Sequence, residues 1–591
     1  MRFPAALAIA LLFSSPLARA QTIASVEVRG LDEVASANVR RNLSLVDAIG
    51  KPLSARRFDY LLEQAETETR QGLEPFGYFS PEIKIDETAG GGGVAIVVSV
   101  APGKPVTVRS AKVAVEGAAG GDPIVGIAIK GFQPAEGAVF DQVQYELAKA
   151  RIGRLLADRG YLDADLAGHR VEVTRAAGAA DIDLRWTSGP RFSLGDILYQ
   201  QQPAPFLRPE LLAKIKGWTP GAPFDQSRLD ALRESLQRLD YFAGIDIAPQ
   251  RAQAQGTTVP VKVTLTAAKR SIYTAGLSYG SVNGPGVRLG VERRYLNDRG
   301  HKALADVDYA RRRKLLTLQY RIPAFDWLEG WYAFTAQAAD EQTDYIDNRR
   351  VELIASRSGR INDKWNLVAG LHVLRERWAY AAEDDGDPLT PPDYRYGSFV
   401  YPELSGDYVN VDQRLAPRRG FGGTALVRGA VEGAGSDASL LQMHADVRWY
   451  HGLGPQSRLI ARGELGYTLT NALVDLPPTL RFHAGGDRSI RGYGWREVGP
   501  RVGQAGDEFP VGAKHVVTAS IEYETYFRDP WGVAVFVDTG SAFNDRPDLR
   551  TGVGVGLRWR SPVGPLRIDI ARGLDDPDSP FQITLNLGAE L

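Results

Sequence analysis

The chain has 591 residues, with 70 Lys+Arg against 71 Asp+Glu, 63 Gly and no Cys. Near-neutral charge denies it the basic field of a nucleic-acid binder, and the missing thiols exclude disulfide frameworks, thiolate zinc sites and cysteine nucleophiles. At about 150 residues per domain the length implies several domains, while a mean hydropathy of -0.22 is that of an ordinary water-soluble protein.

Arg2 precedes an apolar stretch from Ala5 to Phe13, followed by Pro16 and the small-residue site Ala18-Arg19-Ala20. This is the pattern of a secretory signal peptide over residues 1–20, cleaved before Gln21. No later segment offers the roughly 18 consecutive apolar residues that a transmembrane helix needs. An exported chain of this kind is either soluble outside the cytoplasm or crosses a membrane as a barrel.

Three markers then recur: Gly77-Tyr78-Phe79, Gly160-Tyr161-Leu162 and Asp240-Tyr241-Phe242, separated by 83 and 80 residues. A fixed period means one structural unit used several times. Amphipathic runs such as Phe58 to Leu73 and Leu229 to Leu239 precede the markers, and strand-like alternation follows, as in Val94 to Val100 and Val259 to Leu265. Each unit also opens with a strand, clearest in Ile23 to Gly30, so the order is strand, helices, strand, strand. That order, the Gly-Tyr-Phe marker and the ending Val98-x-Val100-x-Pro102-Gly103 resemble the POTRA (polypeptide-transport-associated) module. The resemblance implies three α+β modules, at 21–103, 104–189 and 190–267. The third marker departs from the pattern with Asp240 in the Gly position.

From residue 268 to 591 the chemistry changes. Tyr plus Trp number 8 in the first 267 residues and 25 in the remaining 324, as expected where strands end at two lipid interfaces. Val553, Val555, Leu557 and Trp559 alternate with Gly552, Gly554, Gly556 and Arg558. Leu566, Ile568 and Ile570 likewise oppose Arg567 and Asp569, and Phe581, Ile583, Leu585 and Leu587 oppose Gln582, Thr584 and Asn586. One apolar and one polar face per strand is the pattern of a wall between lipid and water. Sixteen strand-like stretches predict an all-β, 16-stranded antiparallel transmembrane β-barrel behind the α+β repeats. An even count makes Pro323 to Gly330, Val411 to Gly420 and Ser561 to Gly564 periplasmic turns, and Tyr380 to Tyr396 an outer loop. The acidic group Glu383, Asp384, Asp385 and Asp387 in that loop has no calcium-loop spacing and reads as solvated.

Between the eleventh and twelfth strands lie some 44 residues, 470–513, and long ordered loops are usually functional. Within them Ala484 is followed by Gly485, Gly486, Asp487, Arg488, Ser489, Ile490, Arg491, Gly492 and Tyr493. This stretch resembles the lumen-inserted loop motif of the outer-membrane assembly superfamily that includes BamA and the two-partner secretion transporters. Phe536-Val-Asp-Thr-Gly540, Gly552-x-Gly-x-Gly-Leu-Arg-Trp559 and Ser561-Pro-Val-Gly-Pro-Leu-Arg567 match it as well. With three modules and this length, the chain resembles the TamA branch, the barrel subunit of the translocation and assembly module. It departs from many bacterial barrels in ending Leu587-Gly-Ala-Glu-Leu591 rather than in Phe.

By resemblance Arg491 is the loop arginine that pairs with barrel acids. Alternation offers the partners: Ile521 and Tyr523 face lipid, so Glu522 and Glu524 face inward, and Val533, Val535 and Val537 face lipid, so Asp538 faces inward. We therefore expect Arg491 to pair with Glu522 and Asp538, each pair worth about 1 kcal/mol in a wet lumen. Gly552, Gly554 and Gly556 are expected to leave the wall bare for the loop. Gly276, Ser278 and Gly280 in the first strand, with Leu585 and Gly588 in the last, are ordinary barrel residues if taken alone. With the resemblance they imply a lateral gate between 270–282 and 581–591.

The function so implied is insertion or secretion of β-rich clients, such as unfolded β-barrels or autotransporters, by β-augmentation at that gate. The protein would sit in outer-membrane lipid with its modules in the periplasm, alongside a TamB-like inner-membrane-anchored partner. The alternative is a two-partner secretion transporter, which typically carries two POTRA modules. No cofactor, metal or nucleic acid is expected. The seven His are scattered without an HExxH pair, and neither a Gly-x-Ser-x-Gly elbow nor a P-loop occurs, so no enzyme is expected.

Overall fold

The computed structural model describes residues 21–587, apart from 91, 216, 281–283, 326–328, 343–345, 381–392, 415, 504–507, 562–563 and 576–579. The expected signal peptide, the acidic cluster of the outer loop and Gly588 lie outside the described residues.

In the first repeat, strand Gln21–Arg29 leads into helices Glu33–Asn42 and Ala55–Leu73, then strands Glu82–Gly90 and Gly93–Ala101. Both helices start at side-chain caps, where Asp32 accepts from the Ala35 amide at 2.8 Å and Ser54 from the Arg57 amide at 3.3 Å, satisfying donors that the helix leaves open. Strand Gln21–Arg29 pairs in parallel with Gly93–Ala101, which pairs antiparallel with Glu82–Gly90. The helices provide the crossover that a parallel pair requires, and Phe58, Leu61, Ile96 and Val98 fill the core between them. The second repeat has the same order: strand Thr107–Glu116, helices Pro123–Lys130 and Gln142–Asp158, strands Asp165–Thr174 and Ala179–Thr187. In the third, strands Ser193–Gln202, Thr258–Ala267 and Phe242–Pro249 form one sheet in that spatial order.

The markers share a backbone state. Gly77, Gly160 and Asp240 all have positive φ, at 86°, 89° and 54°, closing the helical stretch in the left-handed conformation. Space explains both glycines: a Cβ on Gly77 would lie 2.8 Å from the Phe140 carbonyl oxygen, and one on Gly160 2.6 Å from the Phe224 Cβ. Asp240, where the sequence departs from Gly, keeps the same conformation and accepts from Arg294 Nε at 2.9 Å. The aromatic that follows it, Tyr241, is fully buried and donates to the Gly300 carbonyl.

Residues 271–587 form a 16-stranded sheet in which each strand is antiparallel to the next, from Ser271–Gly280 to Gln582–Leu587. Its patterning is inside out. On the twelfth strand (His515–Arg528) the buried side carries Thr518, Ser520, Glu522 and Glu524, while Ile521 and Tyr523 are exposed. Polar inward and apolar outward is the arrangement of a barrel wall in lipid. Among the described residues no helix is long and apolar enough to cross a membrane. The half-aqueous strands explain why the mean hydropathy looks soluble.

Candidate functional site

The connection between the eleventh strand (Ser457–Leu469) and the twelfth turns into the barrel rather than away from it. Phe482 and Ala513 exchange backbone hydrogen bonds of 2.9 and 2.8 Å, and the Val498 amide donates to the Ala484 carbonyl at 3.0 Å. Ala484, Ile490, Tyr493 and Val498 pack with Val516 and Ala542 of the wall. Gly485 and Gly486 take φ of 100° and 101°, which admits the tight reversal. The Gly485 amide donates to Ser489 Oγ at 3.2 Å and the Gly486 amide to the Ile490 carbonyl at 3.2 Å. Ile490 is thereby fully buried, and Asp487 and Arg488 line a lumenal cavity of 430 Å³.

The reversal sets Arg491 against the thirteenth strand (Trp531–Phe543). Its Nε and Nη2 bond Asp538 Oδ2 and Oδ1 at 2.7 and 2.9 Å, and its amide adds a third bond to Oδ2 at 3.0 Å. Nη1 donates to Glu522 at 2.7 Å and to Asp569 of the fifteenth strand (Gly564–Gly573) at 3.3 Å. The guanidinium carbon lies 3.3 Å from the centre of the Phe536 ring. Arg491 is thus held by a two-point fork, a backbone bond and an aromatic face together, which fixes direction as well as charge.

Two features differ from the sequence expectation. The pairs are not in a wet lumen: Arg491 is 3% exposed, Glu522 5% and Asp538 0%. At that burial the cost of removing one partner rises from about 1 to about 3–5 kcal/mol. The glycine strip, moreover, does not serve the loop along its length. A Cβ on Gly552 would stand 1.8 Å from the Arg491 carbonyl oxygen, but one on Gly554 would meet Phe536 Cζ at 2.4 Å and one on Gly556 would meet Asp569 Oδ1 at 2.0 Å. Only Gly552 makes room for loop backbone. The other two make room for the side chains that hold Arg491.

The network extends past the residues that the sequence singled out. Arg558 donates to Glu522 and Asp569, both at 2.6 Å, and Arg458 forks onto Glu524 with two bonds of 3.0 Å. Ser520 donates to Asp538 at 2.6 Å, and Arg462 Nη2 lies 3.5 Å from the same carboxylate. Arg458, Arg491 and Arg558, with the half-buried Arg462, thus meet Glu522, Glu524, Asp538 and Asp569. Beyond Arg491 the backbone stays on the wall. The Gly573 amide donates to the Gly492 carbonyl at 3.1 Å, and Tyr493 lies over Gly573 with its hydroxyl 3.2 Å from Asp575.

At the expected gate, Gly276, Ser278 and Gly280 pair with Arg288, Gly286 and Gly284 of the second strand (Gly284–Arg293), while Leu585 pairs with Ile568 and is 64% exposed. Among the described residues, the first strand's ladder runs only to the second strand, and the last strand's only to the fifteenth. From Tyr273 to Leu277 consecutive residues are exposed on both faces, unlike the alternation of the twelfth strand. Inside, Asp487, Tyr493 and Trp495 of the loop line a cavity of 430 Å³ with Gln582, Thr584 and Leu585 of the last strand.

Residues 296–590 match the Omp85 superfamily domain, and residues 25–102 match the POTRA domain described as TamA domain 1. The chain is 25% identical over 376 residues to the outer membrane protein assembly factor BamA of Nitratidesulfovibrio vulgaris, covering 60% of this chain and 46% of that protein. It is 23% identical over 431 residues to BamA of Neisseria meningitidis serogroup B, covering 62% and 53%. The chain therefore spans about half the length of the curated relatives it matches. Among solved structures, BamA from Haemophilus ducreyi lacking POTRA domains 1–3 superposes with a TM-score of 0.62 at 16% identity, over 82% of this chain and 98% of that one, a likeness of fold.

Proposed function

Because this chain is an outer-membrane protein with an Omp85 superfamily domain behind an N-terminal POTRA region, we propose that it inserts or secretes β-rich client proteins, autotransporters among them, through a lateral gate. The barrel lies in the outer membrane and the POTRA region in the periplasm. The observation that carries the reading is the seam, where the first and last strands each have a ladder on one side only among the described residues. Unpaired backbone in hydrocarbon costs several kcal/mol per group, so a client strand that docks there gains its hydrogen bonds by β-augmentation. No nucleotide is required, since pairing and burial are both downhill.

The same reading assigns a signal peptide to 1–20, POTRA modules to 21–103, 104–189 and 190–267, and the barrel to 268–591. It places the chain in the TamA branch and gives it a TamB-like partner anchored in the inner membrane. Within it, Arg491 with Glu522 and Asp538 holds the loop, and Gly276, Ser278, Gly280, Leu585 and Gly588 form the gate. Three repeats of one strand and helix order support an assembly factor over a two-partner secretion transporter.

The test uses the absence of native Cys. Ser278→Cys with Leu585→Cys, or neighbouring pairs that face one another, allows a disulfide to close the seam. Client insertion should stop on oxidation and return on reduction, with the barrel folded throughout. Full activity of the locked form contradicts the gate.

A further inference from the structure

The outward wall of the barrel is not uniform around its circumference. On the tenth (Leu440–Gly452) and eleventh strands the outward residues toward the extracellular end are Leu441, Met443, Leu465, Tyr467 and Leu469, all uncharged and exposed. The fourth to seventh strands (Arg313–Pro323, Trp331–Gln342, Ile346–Arg360 and Trp365–Tyr380) carry Lys314, Arg349, Arg375 and Arg377 toward the same end. Register puts them on one outer face: Lys314 is opposite Asp340, Asp340 opposite Arg349, Arg349 opposite Arg377, and Arg375 opposite the exposed Val351.

Two acids answer these four cations. Arg349 Nε lies 3.2 Å and Lys314 Nζ 3.8 Å from Asp340, and Arg377 Nη2 lies 3.8 Å from Asp347. Arg375 instead donates to Ser398 Oγ and sits over the Tyr396 ring. Among the described residues, two positive charges are left over. Among the described residues Arg377 Nε, Asp340 Oδ1 and Asp347 Oδ1 are buried without hydrogen-bond partners, so the cluster has both donor and acceptor capacity to spare.

The cluster rings a cavity of 430 Å³ floored by Val307, Leu316, Ala338 and Val351. Two residues further along the same strands, Ala305 and Ala336 open a trough of 620 Å³ between Leu318, Phe334, Leu353 and Val373. The wall is therefore amphiphilic, with surplus cations at the outer interface and a groove cut by small residues in the hydrocarbon zone. Cations on a lipid face are costly at the bilayer midplane and far less so at the interface, where they are stabilised by an anionic headgroup. From Lys314 to Arg377 the row crosses three interstrand spacings of about 4.8 Å, roughly 14 Å in all. That is wide for one phosphate and suited to two phosphates carried across a sugar.

We propose that this face binds a doubly phosphorylated, multiply acylated glycolipid of the outer leaflet. Lys314, Arg349, Arg375 and Arg377 take the phosphates, Asp340 and Asp347 accept sugar hydroxyls, and the alanine trough takes acyl chains. The inference rests on the outer-membrane placement and not on the gate.

The test is lipid retention by the full-length protein, purified in detergent and read by native mass spectrometry. Bisphosphorylated lipid A, its dephosphorylated form and phosphatidylglycerol are offered separately. The unaltered chain should retain the bisphosphorylated form at least about tenfold better than either other lipid. Arg349→Gln with Arg375→Gln should remove that preference, and Ala336→Phe should weaken retention with every charge in place. Equal retention of the dephosphorylated lipid or of phosphatidylglycerol overturns the proposal, as does unchanged retention by the folded variants. The lipid comparison on the unaltered chain decides the matter even where a variant fails to fold.

Discussion

The guanidinium carbon of Arg491 lies over the ring of Phe536, 3.3 Å from its centre, and the space that ring needs is the Cβ missing from Gly554, which would stand 2.4 Å from Phe536 Cζ. A glycine on the fourteenth strand (Arg550–Ser561) therefore acts on the loop through a side chain of the thirteenth. Gly554→Leu should push Phe536 off the arginine and loosen residues 485–496. Limited proteolysis of the folded barrel should show new cleavage there, and Gly552→Ala should do the same by direct contact with the Arg491 carbonyl. Gly276→Ala, whose Cβ would meet nothing within 4 Å, should leave the digestion pattern unchanged.

Arg491→Ala leaves Asp538, Glu522 and Asp569 around a missing cation at a buried site. Urea unfolding of the refolded barrel should show a loss of about 3–5 kcal/mol. Arg491→Lys should recover only part of it, because an ammonium cannot fork onto Asp538 while reaching Glu522.

In the second repeat Asp122 caps the helix Pro123–Lys130 and is met by Arg159 Nε at 2.7 Å, the Ile124 amide at 3.0 Å and the Tyr161 hydroxyl at 3.3 Å. Burial alone would raise its pKa, but the Arg159 bond and then the Ile124 amide outweigh it and hold the carboxyl below its ordinary value. Its folded pKa is therefore below the unfolded one. The contribution is complete above the unfolded value of about 3.9 and is lost as pH falls through the folded value. Hydrogen exchange should show this helix opening more readily below about pH 4, and Asp122→Asn should flatten that acid dependence while lowering protection at neutral pH.

Asp240 holds a left-handed backbone and an ion pair to Arg294 at once. Asp240→Ala keeps the unfavourable φ and loses the pair, for about 1–2 kcal/mol. Asp240→Gly loses the pair but relaxes the backbone and should cost less. Thermal unfolding of the two variants gives the order.

Parity along a strand was legible from sequence, because a membrane wall separates apolar from polar residues at every second position. Glu522, Asp538, Arg558 and Asp569 all fall on the inward side by that rule. Depth was not legible. Whether Asp569 stands level with Gly556 or one pair away depends on register across the fifteenth strand, which alternation does not contain, so alternation alone does not join Asp569 and Arg558 to Arg491. Dryness is hidden for a related reason: Phe536, which covers the Arg491 guanidinium, comes from the wall and not from the loop. The row of outward cations is not legible in the sequence, because its members lie on separate strands and meet only through pairing.

Disulfide trapping between the first barrel strand and a client tests most directly the idea that client strands pair at the seam. Single cysteines at Gly276 or Ser278 would be combined with a cysteine scan along a client's terminal strand. Augmentation predicts adducts in one register, which shift along the client by two residues when the partner moves from Gly276 to Ser278. Adducts without register, or none while the client still reaches the membrane, contradict it.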